Sequence, residues 1–134
     1  MITRHFTNPG VDPLDAVRYV KRSSVISNPD GSKVFKMDTV EVPEGWSQLA
    51  TDIVASKYFR KAGVPLPGGS ETSSRQVVFR VARTLREAGE ALGSYFRTAE
   101  EADTFEAELS YMLINQFGAF NSPVWFNCGL AARY

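Results

Sequence analysis

The chain has little of what catalytic or exported proteins commonly display. Its 134 residues include one cysteine, Cys128, and one histidine, His5. A single cysteine excludes an internal disulfide and suits a reducing compartment. One histidine and one distant cysteine do not make a zinc site. A Ser-His-Asp arrangement would rest on His5 alone, in a segment where nothing positions it. Charge of one sign is also lacking: fifteen basic residues balance fifteen acidic ones. No general field therefore draws the chain onto nucleic acid or an anionic membrane. No apolar run approaches the roughly 18 residues of a membrane-spanning helix. Met1–Gly10 carries Arg4, His5 and Asn8 where a signal peptide would need an apolar core. These absences predict a cytoplasmic protein of one modest domain, with no nucleic-acid or membrane partner.

What is present is a core, since 43% of the residues are hydrophobic. Residues 1–16 have no clear period and read as an arm or covering segment. Asn28-Pro29-Asp30-Gly31 is strong turn chemistry: Pro presets φ, Asp caps the turn, and Gly accepts a positive φ. Its flanks are rich in Val, Ile, Phe, Tyr and Thr. The pattern predicts a β-hairpin over 17–42, exposed on much of both faces and leaning on the downstream helices or on a partner.

Helical spacing dominates after Pro43-Glu44-Gly45. Trp46, Leu49, Ala50, Ile53, Val54 and Tyr58 predict a helix over 46–61, closed by Gly63, Pro65 and Pro67. Lys57, Arg60 and Lys61 in its last turns either complement the helix dipole or hold a phosphate. Residues 65–74 read as a flexible connector. A second helix, 74–88, starts with capping-box spacing at Ser73 and Gln76 and carries an apolar stripe of Val77, Val78, Val81, Ala82 and Leu85. Arg75, Arg80, Arg83 and Arg86 are expected off that stripe, and Gly89–Arg97 is expected to break the helix. A third helix, 98–117, starts at Thr98 and Glu101. Ala102, Phe105, Leu109, Met112, Leu113 and Phe117 form its apolar face, while Glu106 and Glu108 are assigned to solvent. Its acidic first turn lacks the alternating oxygen ligands of a calcium loop, so no metal site is expected.

The stretch Phe117–Gly129 combines a repeated Phe-Asn pair, Trp125, Cys128 and a Ser-Pro step. A polar, aromatic-rich loop after a long helix is a place to look for binding. The Ser122 hydroxyl and its neighbouring backbone suit a ligand oxygen, and a plain turn role explains them as well. Cys128 reads either as a reactive thiol or as a small buried side chain, with no neighbouring cation in the sequence to lower its pKa.

Phe120-Asn121-Ser122-Pro123-Val124-Trp125-Phe126-Asn127-Cys128-Gly129 resembles the Phe-Asn-Ser-Pro-Val-Trp-Phe-Asn-X-Gly segment of class II, adenosylcobalamin-dependent ribonucleotide reductases. Trp46-Ser47-Gln48 and Ala55–Pro65 look like an early helix of that family, and the likeness runs from about Val17 to Gly129. The resemblance implies a mainly α fold with a β-hairpin (α+β): the N-terminal helical region, without the family's ten-stranded α/β barrel. It divides the chain into an arm (1–16), a hairpin (17–42), helices (43–117) and a substrate-loop segment (118–134). It also implies that Ser122 contacts the substrate's phosphate or adjoining groups, that Asn121 and Pro123 shape the loop, and that Trp125 and Phe126 anchor it by burial.

The same resemblance places the redox cysteine pair, the radical cysteine, the catalytic Asn and Glu, and the cobalamin-binding parts downstream of this segment. No catalytic residue is therefore expected in this chain. The expectation is the N-terminal segment of an adenosylcobalamin-dependent ribonucleoside-diphosphate reductase, serving DNA precursor synthesis and inactive alone. Its expected partners are the ribonucleotide substrate and the remaining reductase polypeptide or downstream sequence. The alternative is a stand-alone helical interaction or regulatory module without catalysis.

Overall fold

Strand β1 (Tyr19–Ser27) and strand β2 (Lys33–Pro43) form an antiparallel hairpin, with Tyr19 opposite Pro43 and Arg22 opposite Val40. A computed structural model describes residues 2–134. The turn is built as its chemistry dictates. The Gly31 N–H donates to the Asn28 carbonyl at 2.9 Å, φ of Gly31 is 88°, and the Asp30 carboxylate accepts from Ser32. Near the turn the hairpin is open to solvent, as expected. At the other end Ser24, Val40 and Val42 are fully buried, because a register shift between Arg22 and Ser24 re-aims the strand.

Helix α1 (Gln48–Ile53) is capped by the Ser47 hydroxyl, which accepts from the Ala50 N–H. It passes directly into a π-helical turn, Val54–Tyr58, so the α-helix expected over 46–61 is cut short. The reason lies across the fold: Arg60 exchanges backbone and carboxylate hydrogen bonds with Glu71 and is pulled out of helical geometry. Lys61 Nζ donates to the carbonyls of Ala55, Ser56 and Phe59, so this lysine caps the turn.

The connector expected at 65–74 is pinned, since Glu71, Ser73 and Ser74 are buried within it. Ser73 then caps helix α2 (Ser74–Ala91) through a complete capping box with Gln76. The helix passes the predicted end because Gly89 lets Phe96 pack on it; a Cβ there would sit 2.6 Å from the Phe96 ring. The break is therefore confined to the residues after Ala91.

Helix α3 (Ala99–Ile114) is capped by Thr98 and stops earlier than the predicted Phe117. Gln116 turns to a φ of 61°, and the Phe117 N–H reaches back to the Met112 carbonyl at 2.8 Å. Phe117 is consequently 64% exposed and stacks on Phe6 instead of joining the core. Two assignments on α3 are overturned. Glu106 and Glu108 are each only 9% exposed. Glu106 pairs with Arg83 and Arg86, and Glu108 accepts from the backbone of His5, Phe6 and Thr7. The arm covers α3, and a carboxylate beneath it satisfies three N–H groups that would otherwise be unpaired.

Beyond α3 the chain forms helix α4 (Ser122–Asn127) and helix α5 (Leu130–Arg133), where sequence reading expected a loop. Pro123 lies in the first turn of α4, where its missing N–H costs nothing. Two hydrophobic clusters result. Val40, Val42, Val54, Ala55, Phe59 and Val77 form one; Leu14, Val78, Val81, Leu113 and Ile114 form the other. Trp46 and Trp125 pack against both and join them.

Candidate functional site

The geometry around Ser122 starts from an arginine on α2. Arg80 was expected off the apolar stripe, but it is fully buried. Its Nε and Nη2 donate to the two Glu71 oxygens, each at 3.0 Å. The remaining donors are spent on backbone carbonyls: Trp125 at 3.0 Å, Cys128 at 2.9 Å and Tyr58 at 3.2 Å. The planar guanidinium thus ties α2, the π turn and α4 to one centre. Glu71 is completed by the Tyr134 hydroxyl at 2.6 Å and by the Arg60 N–H at 2.9 Å. Every strong partner of this buried pair is a hydrogen-bonding group, which is what a buried charge requires.

Held by this clamp, Ser122 is half-buried, and its Oγ lies 3.2 Å from the Tyr58 hydroxyl. Asn121 is the exposed N-cap residue of α4 and makes no side-chain capping bond; Pro123 is exposed. Trp125 is half-buried between Tyr58, stacked at 5.8 Å, and Phe120 at 6.1 Å. Phe126 tilts against Tyr58 but stays 39% exposed. The structure therefore gathers Ser122, Trp125 and Phe126 around Tyr58.

Cys128 is a free, half-buried thiol. Burial pushes its pKa up, and the nearby Arg80 charge counteracts only part of that. A cation does stand near it, contrary to the sequence reading, yet the thiol is not activated. His5 lies in the arm, with its ring edge-on to Phe6 at 4.5 Å. Among the described residues no group of three or more His, Cys, Asp or Glu side chains is placed to hold a metal ion.

Sequence reasoning missed Glu71, Arg80 and Tyr58. A signal existed for Arg80: it follows Val77 by three residues and precedes Thr84 by four, the spacing of one helical face. Nothing local marked Glu71, which sits in a Gly- and Ser-rich connector.

Comparison with known proteins places these features in context. Residues 20–116 match the family model described as class II vitamin B12-dependent ribonucleotide reductase. The chain belongs to that family. It is 42% identical over 99% of its length to the vitamin B12-dependent ribonucleotide reductase of Agrobacterium fabrum, covering 13% of that protein. The protein of the same name from Streptomyces avermitilis is 47% identical over 96% of this chain, with 13% of its own length covered. The one from Rhodopirellula baltica is 44% identical over 93%, with 12% covered. The chain thus spans about 13% of the length of the curated relatives it matches. It represents the N-terminal region of this reductase family, and the described residues form a small α+β fold without a barrel.

The described residues do not fit vitamin B12. The cavity beside α4, about 400 Å³, is lined mainly by apolar side chains and offers no imidazole or carboxylate. No helix among the described residues is long and apolar enough to cross a membrane.

Proposed function

We propose that this chain supplies one wall of the substrate site of an adenosylcobalamin-dependent ribonucleotide reductase, with the Ser122 hydroxyl contacting the nucleotide's phosphate or an adjoining group. The observation that carries this reading is the placement of Ser122. Its one side-chain hydrogen bond among the described residues runs to Tyr58. That exchange leaves hydroxyl capacity on both groups for a ligand oxygen. Meanwhile α4 is fixed from below by Arg80. A rigidly held hydroxyl orients a charged ligand at little entropic cost.

In this reading Asn121 and Pro123 shape the approach, and Trp125 and Phe126 anchor the segment. The radical chemistry, the cofactor and the reducing thiols come from the polypeptide that makes up the rest of the relatives' length. One thiol, Cys128, cannot serve both as radical site and as the pair that supplies two electrons. The chain alone is accordingly inactive, and its setting is the cytoplasm, where ribonucleotides and reduced thiols are found together.

The test is a reductase assay on ribonucleoside diphosphates and triphosphates with adenosylcobalamin and a dithiol. It is run on this chain alone and on the full-length Agrobacterium fabrum relative with its matching region replaced by this chain. Activity only in the chimera, with KM raised by Ser122→Ala and less so by Tyr58→Phe, supports the role given to Ser122. An active chimera indifferent to Ser122→Ala removes that role. Turnover by the isolated chain refutes its dependence on the rest.

A further inference from the structure

The cavity of about 400 Å³ lies beside the Ser122 segment but is not lined by Ser122. Trp46, Val77, Leu113, Phe117, Phe120 and Trp125 are among its walls. The volume falls within the roughly 300–1,000 Å³ of sites that enclose ligands or side chains. Two features distinguish it from a packing void. Ser74 borders it, is 1% exposed, and has an Oγ without a hydrogen-bond partner. A buried hydroxyl left unpaired costs about 1–3 kcal/mol. Along another wall, Gln116 adopts the left-handed φ of 61° that non-glycine residues seldom take. The next residue, Phe117, lines the cavity and is largely exposed. The apolar surface continues through Tyr58 to the exposed ring of Phe126, the kind of patch that marks an interaction face.

We propose that this cavity is a socket for one ring-sized apolar side chain of the polypeptide that forms the remaining length of the reductase, with a neighbouring carbonyl accepting the Ser74 Oγ–H. Three observations select that occupant. The chain spans only 13% of its relatives' length, so most of their polypeptide lies outside it. Phe120 and Trp125, which wall the socket, flank Ser122 in sequence, where the substrate site has to be completed. An entering segment carries a carbonyl at every residue, and Ser74 lacks an acceptor. The inference rests on the reading that the remaining polypeptide completes this site.

Two measurements test it. The first uses this chain with acetophenone, a ring bearing a carbonyl, and with toluene, a ring of similar size lacking one. NMR follows the indole N–H signals of Trp46 and Trp125, the chain's two tryptophans. Saturable binding of both probes is expected, with acetophenone about threefold to tenfold tighter from one added hydrogen bond. Ser74→Ala should erase that preference. Ala119→Phe, at an exposed wall position where folding is not threatened, should abolish binding of both. No saturable shift, or equal binding to the filled variant, overturns the socket.

The second measurement places benzoylphenylalanine at position 117 of the same Agrobacterium fabrum chimera, where Phe117 already lines the rim of the cavity and is largely exposed. Crosslinking to one apolar segment outside this chain is the expected result; products confined to this chain overturn the proposal. Nucleotide reduction by the unmodified chimera is scored separately. A crosslink together with reduction that Ser122→Ala leaves unchanged keeps the socket and removes the Ser122 reading; Ser122-dependent reduction without the crosslink does the opposite. If the chimera fails to fold, the solution measurement decides.

Discussion

The Glu71 carboxylate and the Arg80 guanidinium meet at 3.0 Å with side chains 0% and 1% exposed, joining a connector to the middle of α2. Removing one partner leaves the other charged and buried, so Glu71→Gln or Arg80→Met should destabilise the fold by about 3–5 kcal/mol. Replacing both, as Glu71→Leu with Arg80→Met, relieves the stranded charge but still orphans the carbonyls of Tyr58, Trp125 and Cys128. The double variant should therefore recover part of the loss. Urea unfolding of Glu71→Leu, Arg80→Met and the double variant checks this; strictly additive losses would show that the pair is not coupled.

Glu108 predicts a pH-dependent arm. Burial by itself would raise its carboxyl pKa, but the Thr7 hydroxyl and the N–H groups of Phe6, His5 and Thr7 together bring it below the ordinary 4.5. A depressed carboxylate pKa contributes stability that is present above the unfolded-state value and is lost as pH falls through the folded one. The protection factors of His5, Phe6 and Thr7, taken against intrinsic exchange at each pH, should fall as pH drops below about 4.5. Glu108→Gln should show weakened protection at every pH and no transition in that window. Wild-type protection that stays constant through that window, or the same transition in the Gln variant, would remove the carboxylate from the account.

Gly129 sits at the corner between α4 and α5 with φ of 85°, and a Cβ there would lie 2.5 Å from the Arg80 carbonyl oxygen. Left-handed backbone costs a non-glycine residue about 1–2 kcal/mol, and the clash with main chain adds to it. Gly129→Ala should lower stability by about 2 kcal/mol or more. Gly31→Ala has the same φ problem but open space around it. Its loss should stay near the backbone term, and thermal unfolding of both variants separates strain from collision.

Cys128 should be a slow thiol. With its pKa raised above the ordinary 9.0 by burial, little thiolate forms at pH 8. Labelling by iodoacetamide is expected to lag behind that of the urea-unfolded chain by more than tenfold. Equal rates in the folded and unfolded protein would mean that the thiol is neither shielded nor shifted.

Sequence by itself determined the local architecture. The Asn28–Gly31 turn, the Ser73 and Thr98 caps and the valine stripe of α2 all appear where residue chemistry placed them. The Phe120–Gly129 motif, with the Trp46 and Ala55–Pro65 stretches, was enough to reach the family that the comparisons show. These are short-range signals, carried by residues within a few positions of one another. Tertiary structure alone decided the fate of the charged groups. Glu106 and Glu108 look solvated along their helix, yet partners 20 or more residues away, on α2 and in the arm, bury them. Arg80 and Glu71 are nine residues apart, in different kinds of structure. A charge is buried only where a distant group can neutralise it and satisfy its hydrogen bonds, and no local pattern records that partner. The same reason governs the helix ends: α1 is diverted by Glu71, α2 runs on beneath Phe96, and Phe117 leaves α3 to meet the arm.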